Sequence, residues 1–149
     1  MRQAWLVLLV LLAACGGVGY NATGLWEGAA TNPNGGISVR FDLKDENGNL
    51  SGSHFVYLYG AWQYVGSVRG SRSGQEASLR VDAYDGSGYI QVDGRFEGDR
   101  FSGTYLIVAY GSGSATANLS LRRVQTRPGT LAIPSEPGQV LQKLWESLK

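Results

Sequence analysis

Ile37-Ser38-Val39-Arg40-Phe41-Asp42-Leu43-Lys44 alternates strictly between apolar and polar residues and runs into Asp45-Glu46-Asn47-Gly48-Asn49. A period of two places Ile37, Val39, Phe41 and Leu43 on one side of an extended strand and the polar residues on the other. Asn-Gly supplies two residues that accept left-handed backbone, which a tight hairpin turn requires. The same grammar extends in both directions. Residues 23–31 form a preceding strand across the turn Asn32-Pro33-Asn34-Gly35-Gly36, and residues 50–59, 63–71, 77–84, 89–97, 100–110 and 114–124 read as six more. Short connections force antiparallel neighbours, and alternation implies one dry face. With no intervening helix to cover that face, the sheet does best by closing on itself and removing both edges. The expected fold is all-β: an eight-stranded antiparallel up-and-down β-barrel over residues 23–124, then a linker (125–138) and a short C-terminal amphipathic helix (139–149).

Composition agrees with one turn-rich domain. The chain has 149 residues, 22 of them glycine without a collagen period. Lys and Arg total 13 and Asp and Glu 12, with the signs interspersed, so there is no basic surface for nucleic acid. Cys15 is the one cysteine, which excludes an internal disulfide.

Arg2 followed by the apolar run 4–14 has the pattern of an export signal, too short to span a bilayer as a helix. It ends in Leu12-Ala13-Ala14-Cys15, which resembles the lipobox of bacterial lipoproteins. The resemblance implies cleavage after residue 14, a diacylglyceryl thioether on Cys15 and further acylation of its amino group. The other reading is an ordinary signal with a chance cysteine. The implied cofactors are these covalent acyl groups alone, and the implied partner is the membrane that holds them. Residue 16 is Gly, not the Asp that retains enterobacterial lipoproteins in the inner membrane. The expected location is therefore the outer membrane if the source has one, otherwise the outer face of the cell membrane. Residues 15–22 then form a lipidated tether. Loss of Arg2 with the signal leaves the mature chain formally neutral.

Gly24-Leu25-Trp26 resembles the G-x-W signature of the calycin group, which includes lipocalins and avidins. There the Trp closes one barrel end and a basic residue late in the last strand packs across it. That resemblance implies a closing pair between Trp26 and Arg122 or Arg123. Leu50-Ser51-Gly52-Ser53 also matches Phe101-Ser102-Gly103-Thr104, a weak repeat consistent with re-used hairpins.

Many positions expected to face inward are small: Gly24, Gly28, Ala30, Gly52, Ala77, Ala83, Gly94, Gly103, Ala115 and Ala117. An eight-stranded barrel is filled by side chains or holds one small ligand. The candidate pocket comprises Phe41, Val81, Ala83, Phe96, Ala115 and Ala117. The alternative is that the glycines let strands approach and the interior stays dry. Tyr57, Tyr59, Trp62 and Tyr64 cluster around one turn, as a wet binding surface or as cover for a barrel end. His54 is the one histidine and stands without a nucleophile motif or metal-ligand spacing, so neither catalysis nor a metal is expected. Val140, Leu141, Leu144, Trp145 and Leu148 share a helical face that docks on the domain or serves a membrane or partner, with Ser135 and Glu136 favourable at its start. The functional expectation is a non-catalytic, lipid-anchored envelope lipoprotein whose barrel binds a small apolar ligand. The alternative is a structural or assembly protein presenting the barrel surface to another envelope protein.

Overall fold

The computed structural model describes residues 19–124 and 140–149. Eight strands form one closed antiparallel barrel in simple sequence order: β1 (Gly24–Asn32), β2 (Gly35–Glu46), β3 (Asn49–Leu58), β4 (Ala61–Ser73), β5 (Glu76–Ala83), β6 (Gly88–Glu97), β7 (Arg100–Ala109) and β8 (Gly113–Val124). β1 closes the ring against β8, with Gly28 opposite Leu121. This is the expected fold. The Asn47-Gly48 turn adopts the left-handed pair its sequence favours, at φ 55° and 91°.

Inward glycines are sites of close backbone approach. A Cβ on Gly28 would lie 1.8 Å from the Ser120 carbonyl oxygen, and one on Gly52 the same distance from that of Asp42. Gly52, at φ 148°, holds a backbone conformation that L side chains rarely adopt.

One irregularity decides which aromatics face out. The β3–β4 register shifts between His54 and Phe55: His54 pairs with Gly66, but Phe55 pairs with Tyr64. Val65 is the extra residue of a β-bulge. Counting by twos from Val68 and Gly66, Tyr64 and Trp62 would point inward. The bulge reverses that phase and places them outside, opposite Phe55 and Tyr57.

The helix α1 (Val140–Leu148) closes one mouth of the barrel, packing against β2, β7 and β8 with Val140, Leu141, Leu144 and Leu148 buried. Nine residues at 1.5 Å each span about 13 Å, close to a barrel opening. The other mouth contains Trp26, and residues 20–23 cross it. We call the two ends the helix mouth and the Trp mouth.

Candidate interaction surface and barrel interior

The interior is one continuous apolar cluster. Trp26, Phe96 and Phe101 fill the Trp mouth, with Phe96 5.0 Å from Trp26 and 4.8 Å from Phe101 between ring centroids. Further in, Phe41 stacks on His54 at 4.0 Å. His54 Nδ1 lies 3.0 Å from the Arg40 carbonyl oxygen, and Nε2 lies 2.6 Å from the Tyr105 hydroxyl. A carbonyl can only accept, so Nδ1 carries the proton and Nε2 accepts from Tyr105. Burial pushes the imidazole down to about 3, outweighing the bond to Arg40, and burial also pushes the Tyr105 phenol up. Both groups are neutral, mutually satisfied and out of solvent. No group of three or more His, Cys, Asp or Glu side chains that could hold a metal occurs among the described residues.

The candidate pocket residues join this packing. Phe41 and Val81 expose no surface, Phe96 1% and Ala117 3%, and Ala83 is also buried. Walls of a ligand cavity would retain contactable surface. Ala115 stands apart at the helix mouth, half-buried beside an open cleft formed with Asn32, Ser114 and Leu148.

Of the proposed closing pair, Arg123 meets Trp26 and Arg122 does not. The Arg123 guanidinium lies 4.8 Å from the Trp26 ring and donates to the carbonyls of Asn21 (2.8 Å) and Thr23 (2.9 Å). It also pairs with Asp99 at 2.9 Å. Trp26 Nε1 donates to the Ala22 carbonyl at 2.9 Å. Arg122 faces outward, directly across from Arg100. Cys15, the signal 1–14, the linker 125–138, Ser135 and Glu136 lie outside the described residues.

Tyr20, Asn21 and Ala22, which the sequence places in the tether, form a strap on the Trp mouth. Tyr20 donates to the Gly98 carbonyl at 2.7 Å and packs on Phe96. The buried Asp45 carboxylate accepts from Ala22 N (2.9 Å), Gly48 N (2.9 Å) and Arg72 Nε (2.7 Å). Burial works to raise Asp45, but these bonds outweigh it and hold the carboxyl below its ordinary range. Sequence reading missed this anchor. Its signal was present: Asp45 occupies the inward phase of Ile37, Val39, Phe41 and Leu43, where a carboxylate needs partners.

At the helix mouth, barrel turns cap the helix. Asp85 Oδ2 accepts from Val140 N at 3.1 Å, and Ser87 Oγ from Leu141 N at 3.5 Å. Asn32 Nδ2 donates to the Leu148 carbonyl at 2.7 Å. These are the capping roles of N- and C-terminal residues, supplied by other parts of the chain.

The outer face of β3 and β4, extended by Tyr84 just after β5, is aromatic. Phe55 packs on Tyr64 at 5.6 Å, Tyr57 on Trp62 at 5.4 Å and Tyr64 on Tyr84 at 5.8 Å. Arg40, ion-paired to Glu27, lies 4.2 Å over the Trp62 ring. Its buried Nε has no hydrogen-bond partner. At the hairpin tip Tyr59 is 79% exposed and held at φ 54°. Left-handed backbone is uncommon for a large side chain. Tyr57 and Tyr84 are also exposed. Comparison of the chain with protein-family models, with curated proteins and with solved structures returns no match.

Proposed function

We propose that this is a non-catalytic bacterial envelope lipoprotein, anchored through acyl groups on Cys15, whose calycin-like barrel presents its outer aromatic face to another envelope protein. The observation that carries the reading is the contrast between a filled interior and an exposed aromatic surface. A small apolar ligand inside the barrel would have to displace Phe41, Val81 or Phe96 from close packing. The outer rings need no rearrangement to meet a partner. Tyr and Trp combine apolar area with a polar tip, and rigid aromatics dominate protein contact energies. The Trp26–Arg123 contact supports the calycin-like part of the reading. The Leu12-Ala13-Ala14-Cys15 motif supports the anchor and the location, the outer membrane where the source has one.

The test is photo-cross-linking in intact cells, with a benzophenone amino acid at Tyr57 and, as control, at Thr116 on β8. A discrete protein adduct from Tyr57 and none from Thr116 is the expected result. Equal adducts at both positions would overturn the aromatic-face reading. A small molecule that co-purifies with the intact protein and is lost on Ala83→Phe would return the ligand to the interior. For the anchor, Cys15→Ser abolishes fatty-acid labelling, and equal label in wild type and variant would remove the lipoprotein reading.

A further inference from the structure

We infer that the Trp mouth is the membrane-proximal end of the barrel and that Arg100 and Arg122, on its rim, engage the phosphates of the phospholipid surface holding the anchor. The inference rests on the lipid-anchor reading and adds an orientation and a contact to it. The first argument is chain length. Four peptide units separate Cys15 from Gly19, where the described chain begins, and they reach at most about 14 Å. Tyr20 is already fixed to Gly98, in the β6–β7 turn of the Trp mouth. The helix mouth lies a tilted strand length away, about 20–30 Å. The tether is shorter than the barrel, so the anchor holds the Trp mouth near the lipid.

The second argument is charge. Arg100 opens β7 and Arg122 lies near the end of β8, and they are direct cross-strand partners on the outer face. Both are exposed. Like charges directly opposite destabilise a sheet. No ion pair forms to either among the described residues. Glu97 lies across the sheet from Arg100 and Glu27 from Arg122, but the ion pairs these carboxylates form are to Arg95 and Arg40. Two facing guanidiniums that form no ion pair suit an anionic oxygen surface, since each planar fork binds phosphate oxygens in pairs. The tether is comparable to the ~10 Å screening length at 0.1 M salt, so the rim lies within reach of the surface potential. Each arginine near an anionic leaflet strengthens docking roughly fivefold.

The experiment uses the full lipidated protein in vesicles of phosphatidylethanolamine and phosphatidylglycerol, and in vesicles of phosphatidylcholine alone. Alkylation blocks Cys15, so Ser102→Cys, one rung above Arg100, or Tyr110→Cys, at the helix mouth, supplies a unique thiol for a fluorophore. A lipid with a nitroxide on its headgroup is the quencher. On the anionic vesicles, quenching at residue 102 is expected to exceed that at residue 110 several-fold. Arg100→Gln with Arg122→Gln should reduce it to the phosphatidylcholine level without changing the vesicle-bound fraction. The double variant removes the Arg100–Arg122 repulsion together with the cross-strand attractions to Glu27 and Glu97, so its urea midpoint should stay near that of the wild type, which separates lost docking from lost folding. Equal quenching at the two positions, or no response to the double variant, overturns the inference while the anchor stands. A Cys15 lacking the diacylglyceryl mass overturns the anchor reading and the inference together.

Discussion

The two mouths of the barrel are closed by different means. At the Trp mouth the plug is contiguous with β1: residues 20–23 lead directly into the strand and are bonded to Asp45, Arg123 and Gly98. The closure combines tilted, closely packed aromatics, a buried carboxylate and a guanidinium over an indole. At the helix mouth the plug is distant in sequence, apolar and capped at its ends by barrel turns. A plug built into a strand should melt only with the barrel. One attached at its ends can detach while the sheet persists, because local opening follows the weakest cooperative unit.

The largest expected effect tests that contrast. Trp26→Ala removes the ring that contacts Phe96 and Arg123, and it should cost about 3–5 kcal/mol of global stability. Urea unfolding followed by circular dichroism and amide exchange should show both mouths losing protection together. An unchanged midpoint would mean that the Trp mouth is no part of the cooperative core.

A pH series examines the polar centre between the mouths. The His54 imidazole has an ordinary value of 6.5 and a folded value of about 3, set by burial. Between these limits the unfolded chain binds a proton that the folded chain does not. Stability should therefore be full above pH 6.5 and fall as pH drops toward 3, by at most about 1.4 kcal/mol per unit. Asp45 and Asp85 act at lower pH. Burial works to raise each, but hydrogen bonds outweigh it and hold both below 3.8. Their contributions are present above 3.8 and disappear as pH falls through their folded values. Replacing His54 and Tyr105 together with Phe should flatten the slope between 6.5 and 3. A slope that survives the replacement would assign it to another group.

The helix mouth should respond more locally. Leu144→Ala truncates a fully buried residue and should cost about 2–4 kcal/mol of helix docking. Exchange should rise in α1 first while β3 to β6 stay protected. Uniform loss across the barrel would show that the two closures are equivalent after all. Asp85→Ala removes the acceptor for Val140 N and should cost about 0.5–2 kcal/mol, the range for a lost cap. That loss should again appear in α1 before the sheet.

The barrel was legible because eight alternating segments and their turns pointed to the same architecture, and Val140, Leu141, Leu144 and Leu148 declared a helical face. The outer aromatic face was only partly legible. Period-two counting from Gly66 sends Tyr64 and Trp62 inward, and one extra residue at Val65 sends them out. A bulge leaves no composition signal beyond a broken alternation. The caps were harder still, because Asp85 and Ser87 lie more than fifty residues from the N–H groups they satisfy. The filling of the interior depended on volumes summed across strands. The inward glycines proved to be places where neighbouring backbones approach, which strand periodicity does not encode.

The smallest expected effect concerns Tyr59, where the helix mouth meets the aromatic face. Its backbone lies in the left-handed region, followed by Gly60 at φ 78°, so the hairpin needs two residues that tolerate positive φ. Tyr pays a steric penalty there that Asn or Gly avoids. Lys143 of α1 sits 5.3 Å from the Tyr59 ring, a contact worth at most about 1 kcal/mol at an exposed site. Relief of backbone strain and loss of this contact are similar in size and opposite in sign. Tyr59→Asn should therefore leave stability unchanged or raise it by up to about 1 kcal/mol in urea unfolding. On that expectation the ring brings the fold no net stability at the tip. If it serves the partner surface, Tyr59→Asn should weaken the Tyr57 cross-link while the midpoint holds. A loss of 2 kcal/mol or more (well above what such a contact contributes) would instead make Tyr59 a structural clasp between the β3–β4 hairpin and α1, and would remove it from the interaction face.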